Sequence, residues 1–98
     1  MNMQGAQANH KTDSAYQLLS AALELGRGGQ WHSYPALAAR RGLSYMNFNR
    51  RAKREVEDAQ GFLEYKREGR RSFIRPVVGL MGTNGDIKRE FRRMKGWE

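Results

Sequence analysis

Helix boundaries follow one another closely in the middle of the chain, and this spacing limits the folds that the chain can adopt. Ser33 precedes Pro35, a pairing typical of a helix start, because proline lacks the N–H group that the first turn leaves unpaired. Gly42 is then a left-handed terminator, and Ser44 is a new cap two residues later. Gly61 closes the second helix. The sequence therefore predicts a short helix and a longer helix joined by a tight turn.

A further helix precedes this pair. Residues 1–12 are small and polar without periodicity, and we expect a flexible tail there. Thr12 or Asp13 can cap the helix that follows, which ends near Leu25 at the glycines of GRGG. Its predicted buried positions recur at helical spacing and are Ala15, Leu18, Leu19, Ala22 and Leu23. The next segment, QWHS, is either a brief strand or an extended link.

The longer helix is predicted over residues 45–60 with one apolar face. That face consists of Phe48, Ala52, Val56 and Ala59. On a helical wheel of roughly 100° per residue, the polar side chains opposite this face are Asn47, Arg50 and Arg54, with Arg51 and Lys53 on the flanks. The acidic residues of this helix come later in the sequence, so its first half is the more positive.

A β-hairpin and a last helix follow. Residues 62–67 and 71–76 are rich in aromatic and branched side chains, with EGR at the turn and Pro76 at the end of the second strand. The cations around the hairpin tip are Lys66, Arg67, Arg70 and Arg71. A glycine-rich loop then leads to a helix that Asp86 can cap. The apolar side of this helix consists of Ile87, Phe91 and Met94.

Composition narrows the class of protein. The chain of 98 residues is 39% hydrophobic, which is enough for one small core, and its net charge of +8 suggests an anionic partner such as nucleic acid. Residues 31–78 carry eleven basic and five acidic side chains, an excess of six. The absence of cysteine excludes a disulfide scaffold and a thiolate metal site. We expect no membrane span, no signal peptide and a cytoplasmic location.

No motif in the sequence predicts catalysis. His10 and His32 share no metal-ligand spacing with a second histidine, phosphate-binding glycine loops are missing, and the serines lie at helix caps. We therefore expect neither an enzyme nor a metal or other cofactor, and no small-molecule ligand.

The order of elements resembles the winged helix-turn-helix superfamily of DNA-binding domains. The resemblance covers residues 13–78, in which YPALAARRGLSYMNFNRRAKREV would be the helix-turn-helix and FLEYKREGRRSFIRP the wing. It implies an α+β, mainly α fold, with a three-helix core and a two-stranded β wing. Residues 79–98 would add a loop and an extra C-terminal helix as a candidate dimerisation element.

The resemblance implies sequence-specific binding to double-stranded DNA. Most simply, the chain would be a repressor-type transcriptional regulator, since compact regulators of this build are typical of phages, plasmids and other mobile elements. The expected base contacts are Asn47, Arg50 and Arg54. The expected backbone contacts are Ser33, Tyr34, Ser44, Tyr45, Arg51 and Lys53. The wing contacts would be Lys66, Arg67, Arg70 and Arg71, and association with the nucleoid would follow.

Several alternatives remain open from the sequence. The charged helix can be an ordinary solvated face, stabilised by i, i+4 pairs such as Arg51–Glu55. An accessory protein of replication, recombination or DNA transfer would present the same DNA contacts, and a winged-helix adaptor would bind protein instead. We expect a homodimer, in which Ile87, Phe91 and Met94 form the interface, unless they pack onto their own domain. RNA binding is less expected, because aromatic side chains for base stacking are few.

Overall fold

Residues 3–96 form four helices and three short strands. They are the residues that the computed structural model describes, with side chains from residue 14 onward. The elements are α1 (Met3–Leu25), β1 (His32–Ser33), α2 (Tyr34–Arg41), α3 (Tyr45–Asp58), β2 (Leu63–Glu68), β3 (Arg71–Pro76) and α4 (Asn84–Met94). The chain is thus α+β and mainly helical, a layout compatible with a winged helix. Residues 1–2 and 97–98, at the ends of the predicted tail and the predicted C-terminal segment, lie outside the described residues.

The predicted caps of the two central helices are confirmed. The Ser33 hydroxyl accepts a hydrogen bond of 3.2 Å from the backbone N–H of Ala36, and the Ser44 hydroxyl accepts one of 3.2 Å from the N–H of Asn47. Gly42 lies at φ +70° in the left-handed region, where a side chain would be strained. These local bonds end α2 and start α3 within three residues, which holds the two helices in a tight turn.

Helix α1 begins earlier than the sequence predicts. It starts at Met3, so the expected start at Thr12 or Asp13 is wrong, and helix replaces the expected irregular tail over residues 3–12. That stretch contains no proline, and its alanine, glutamine, methionine and lysine residues are good helix formers. Nothing in the local sequence therefore ends the helix once the apolar face beyond residue 14 has fixed it to the core.

Two other helix ends differ from the prediction. Helix α3 ends at Asp58, with Ala59 as its C-cap, and Gly61 forms the turn beyond it at φ +96°. The N-cap of α4 is Thr83 and not Asp86. Asp86 is the third residue of that helix and accepts a hydrogen bond of 3.0 Å from the Thr83 N–H, which lowers the pKa of its carboxyl group.

The three strands form one antiparallel sheet in the order β1-β3-β2. The QWHS segment thus contains a strand, in which Ser33 pairs with Phe73. In the predicted hairpin, Tyr65 pairs with Ile74, and the turn consists of Gly69 and Arg70 alone. Gly69 lies at φ +61°, a backbone conformation that tight hairpin turns require and glycine adopts without strain.

The core lies where α1 packs against each of the other helices and against β3. Its largest fully buried apolar side chains are Leu18, Leu19, Leu37, Phe48, Ile74 and Phe91. The ring of Tyr34 meets Phe48 edge-on at 4.9 Å, and Phe62 meets Phe91 edge-on at 5.2 Å between ring centroids. Of the predicted apolar face of α3, Val56 is only partly buried. Over residues 3–96 no helix combines the length and the apolar character that crossing a membrane requires.

Helix α4 packs onto its own domain. Ile87 and Phe91 are 3% and 0% exposed against the core, whereas Met94 is 62% exposed. The expectation that all three form a dimer contact is therefore corrected for Ile87 and Phe91, because their side chains already pack inside the chain. Three apolar residues on one side of a helix can either form a dimer interface or pack inside the chain. The burial of Ile87 and Phe91 matches packing inside the chain.

A buried ion pair joins α1, α2 and α3. The Arg41 guanidinium donates to both carboxylate oxygens of Glu55, at 2.6 and 3.1 Å, and the two side chains are 4% and 3% exposed. The Ser14 hydroxyl of α1 donates to the same carboxylate, and the Arg41 guanidinium lies 5.6 Å from the ring centroid of Phe48. Nε of Arg41 is buried and has no hydrogen-bond partner within the described part of the chain.

We predict that breaking this pair destabilises the whole domain. Glu55→Ala leaves the Arg41 guanidinium buried without a counter-charge, so the free energy of unfolding should fall by about 3–5 kcal/mol in urea denaturation at neutral pH. Replacing both partners by apolar side chains, with Arg41→Met and Glu55→Leu, should recover most of this loss, because no charge then stays buried.

The matched control is the exposed pair of Arg40 with Glu24, at 2.8 Å, whose side chains are 51% and 43% exposed. Glu24→Ala should change the free energy of unfolding by less than about 1 kcal/mol. A loss for Glu55→Ala that is no larger than the loss for Glu24→Ala would show that the buried pair does not hold the helices together.

Candidate nucleic-acid interface

Four cations form one exposed patch on α3, which we call the α3 cationic patch: Arg50, Arg51, Lys53 and Arg54. All four are exposed, as is Asn47 one turn earlier. None of the four forms an ion pair with an acidic side chain in the described part of the chain. The i, i+4 ion pair between Arg51 and Glu55 does not form, because the Glu55 carboxylate points inward and pairs with Arg41.

Acidic side chains limit the patch toward the C-terminal end of α3. Glu57 and Asp58 share with the patch a hollow of about 540 Å³, which Ser14 of α1 closes on one side. The four cations therefore lie in the middle of the helix, and the acidic side chains of Glu57 and Asp58 follow in its last turn. A duplex phosphate backbone would meet net positive charge there and mixed charge beyond it.

The hydroxyl groups of the two caps lie at the N-termini of α2 and α3. Ser33 and Ser44 each accept a backbone N–H, and each keeps its own O–H proton to donate to an anion. Tyr45, in the first turn of α3, is 50% exposed. Tyr34 differs, because its side chain is only 5% exposed. Only the part of Tyr34 that borders the hollows between the helices and the hairpin is therefore available for the predicted contact with the DNA backbone.

The hairpin separates the four predicted wing cations. Because successive side chains of a strand point to opposite faces, Tyr65 and Arg67 face α3, whereas Lys66 lies on the other face. There the Lys66 ammonium lies 4.8 Å from the ring centroid of Trp31 and pairs with Glu68 at 2.9 Å. Lys66 is therefore not on the same side as the α3 cationic patch.

Arg75 fixes the base of the hairpin, a contact that sequence reasoning missed. Its guanidinium lies 4.1 Å from the ring centroid of Trp31, Nε pairs with Glu64 at 2.8 Å, and a terminal nitrogen donates to the Gly29 carbonyl at 2.8 Å. These bonds join the hairpin to the loop after α1. They hold its orientation relative to the helices.

Two hollows connect the hairpin to the helix N-termini. The larger one, the α3–wing groove, has a volume of about 650 Å³ and lies between α3 and the hairpin. It is lined by Tyr34, Tyr45, Asn49, Lys53, Val56, Glu57, Tyr65, Arg67, Arg70 and Ser72. The smaller one, of about 310 Å³, brings Ser33 and Tyr45 together with Arg70 and Arg71. Predicted contacts from three separate elements are thus adjacent in space.

Comparison with protein-family models, curated proteins and solved structures finds no match to this chain. Functional assignment therefore depends on the geometry of this surface. Within residues 14–96, no group of three or more histidine, aspartate or glutamate side chains is arranged to hold a metal ion.

We predict that Tyr34 makes stability fall at high pH. Burial, with a smaller contribution from the neighbouring Tyr65, raises the pKa of the Tyr34 phenol to about 12, so the fold favours the neutral form. The unfolded phenol ionises near its ordinary pKa of about 10. Tyr34 therefore makes its full contribution to the free energy of unfolding below about pH 10. This contribution, about 2–3 kcal/mol, is lost as the pH rises to about 12.

The measurement is the free energy of unfolding of the wild type and of Tyr34→Phe, followed from about pH 9 to pH 12. The wild type should lose stability relative to the phenylalanine variant across this window. Parallel pH profiles of the two proteins would show that Tyr34 ionises equally well in the folded and the unfolded chain.

Proposed function

We propose that this chain is a winged helix-turn-helix protein that binds double-stranded DNA in a sequence-specific manner. In this proposal, α2 and α3 are the helix-turn-helix, and β2 and β3 are the wing. The order of elements, helix, strand, two helices and hairpin, supports it, as does the antiparallel pairing of β1 with β3. The tight turn between α2 and α3 supports it as well.

The proposal rests mainly on one observation, namely that the α3 cationic patch is exposed and forms no ion pair within residues 14–96. Four cations are exposed without acidic ion-pair partners in residues 14–96, and Glu55, the i, i+4 candidate partner of Arg51, is buried. Maintaining such a cluster costs electrostatic repulsion, which an anionic partner would relieve. A helix that is merely solvated would gain from the i, i+4 pair that is absent here.

Specific reading would come from the first and middle turns of α3. An α-helix fits the major groove, where arginine pairs with guanine and asparagine with adenine through two hydrogen bonds each. Asn47, Arg50 and Arg54 supply these groups on one exposed face. Arg51 and Lys53 on the flanks would neutralise phosphates.

The wing and the helix N-termini would position the domain on the duplex. Arg70 and Arg71 at the hairpin tip would contact the backbone or enter the minor groove, where arginine is favoured by the negative potential. Ser33 and Ser44 would donate hydrogen bonds to phosphates, and Tyr45 lies beside them. Lys66 is assigned no part, because its ammonium lies against the ring of Trp31 and pairs with Glu68.

Function as a transcriptional regulator, acting as a homodimer on two half-sites, completes the proposal. Pairing of two domains would supply the specificity that one domain with few base contacts lacks. Ile87 and Phe91 cannot form the interface, because they are buried in the chain itself. Sedimentation of the protein with and without a target duplex would measure the stoichiometry directly.

The proposal is tested by selecting genomic DNA fragments with the purified protein at about 150 mM salt, near physiological ionic strength. Enrichment of one palindromic or repeated motif supports a specific DNA-binding dimer. A motif at promoters supports a regulator, whereas a motif at an origin or an attachment site supports an accessory role in replication or recombination. Enrichment of no motif would favour a protein-binding adaptor.

We predict different effects for two neighbouring cations. Arg50→Ala should weaken binding to the selected site by about 1–3 kcal/mol and relax the preference at one base position. Lys53→Ala should weaken binding to all sequences alike. It should also reduce the slope of log K against log salt concentration by about 1, which corresponds to one phosphate contact. Affinity would be measured on the selected site, on single-base variants of it and on an unrelated duplex over a range of salt concentrations.

Lys66→Ala is the matched control, since it removes a cation from the face of the wing turned away from α3. It should leave both affinity and base preference close to those of the wild type. Equal and uniform losses for Arg50→Ala and Lys53→Ala would refute the assignment of α3 to base reading.

A further inference from the structure

The α3–wing groove gathers aromatic rings that the sequence scatters. Tyr45 comes from the first turn of α3 and Tyr65 from β2, and they are 50% and 48% exposed. The edge of Tyr34 lines the groove between helix and hairpin. The expectation that aromatic side chains for stacking are few therefore does not describe this part of the surface.

Cations surround these rings. Lys53, Arg67 and Arg70 line the groove, and Glu57 is its one acidic lining residue. Lys53 and Arg70 form no ion pair with an acid in the described part of the chain. Nε of Arg67 donates to the Gly69 carbonyl at 3.0 Å, which leaves its other N–H groups available. The groove thus combines flat apolar surfaces with an excess of two positive charges.

The groove lies on a different side of α3 from the proposed base-reading residues. At roughly 100° per residue, Tyr45, Asn49 and Lys53 form one stripe along the helix. Asn47, Arg50 and Arg54 form another, which is roughly a third of a turn away. Base reading by the second stripe therefore does not use the residues that line the groove.

The combination of rings and cations identifies the chemistry of the occupant. Bases stack on aromatic side chains, and cations hold the phosphates between them, which is how single strands are bound without regard to sequence. A paired base in the interior of a duplex offers no free face for stacking, because its neighbours cover both faces. A volume of about 650 Å³ is in the range of small-ligand sites.

We propose that the α3–wing groove binds unpaired nucleotides of a DNA strand, so that the protein prefers a duplex that carries a single-stranded extension. A free phosphate would use the cations of the groove but not its two half-exposed rings. This inference goes beyond duplex recognition and does not require it, since none of Asn47, Arg50 and Arg54 lines the groove. The groove shares Tyr45, Lys53 and Arg70 with the proposed contacts to the duplex backbone, whereas Tyr65 belongs to the groove alone.

The experiment compares one short duplex in three forms: blunt, with a single-stranded overhang of about four nucleotides, and with an overhang of the same length built from abasic nucleotides. The abasic overhang carries the same phosphates without bases, so it isolates stacking from charge. We expect the wild type to bind the base-containing overhang roughly 5- to 100-fold more tightly than the abasic one. 2-Aminopurine placed in the overhang should lose fluorescence on binding, because stacking quenches it.

Two variants of Tyr65 test the ring itself. Tyr65→Leu should abolish the preference for the base-containing overhang and the quenching, whereas Tyr65→Phe keeps a ring and should retain both. Binding of the blunt duplex should be unchanged in both variants. Tyr45→Leu is a second, independent test, because Tyr45 lies in α3 and not in the sheet, and it too should lower the ratio of the two affinities.

Each outcome separates this inference from the proposed function. Equal affinities of the wild type for the base-containing and the abasic overhang would overturn the inference, even if the blunt duplex binds specifically. Strong binding of the base-containing overhang together with weak binding of every blunt duplex would support the inference and remove the proposed duplex reader. A preference that survives in Tyr65→Leu and Tyr45→Leu would place the unpaired bases elsewhere on the protein.

Discussion

The ion pair between Arg41 and Glu55 is the constraint on which the arrangement of the three central helices depends. Each partner lies on a different helix, and Ser14 of a third helix donates to the same carboxylate. Two charges can be buried at low cost only when their geometry satisfies both. The bidentate contact therefore adds directional hydrogen bonds between α2 and α3 to the apolar packing around them.

The same pair also decides the character of the exposed face. Glu55 is the residue that could have neutralised Arg51, and its burial leaves the α3 cationic patch without that partner. One inward-facing carboxylate thus serves packing and surface charge together. The proposed duplex contact gains from it, because Arg51 stays available to neutralise a phosphate. Stability and affinity for anions are consequently coupled through a single side chain.

Local hydrogen bonding made much of the fold predictable. The serine caps, the left-handed glycine and the hairpin turn each depend on neighbours within a few residues, so the sequence alone predicts their positions. Glu55 could not be placed, because its spacing suits a surface pair with Arg51 as well as a buried pair with Arg41. Nor could Ile87 and Phe91 be assigned to this chain or to a second one. The grouping of Tyr45 with Tyr65 depends on how the hairpin lies against α3, which involves residues far apart in sequence.

The two-residue turn of the hairpin has a consequence for how the wing can change over time. Because Gly69 and Arg70 alone connect the strands, a residue inserted into or deleted from one strand would shift its pairing with the other. A change of one residue in β2 would exchange the faces, sending Arg67 toward Trp31 and Lys66 toward the groove. Substitutions that alter the charge of the wing leave this alternation intact. The charge of the hairpin can therefore change by substitution without an exchange of its faces.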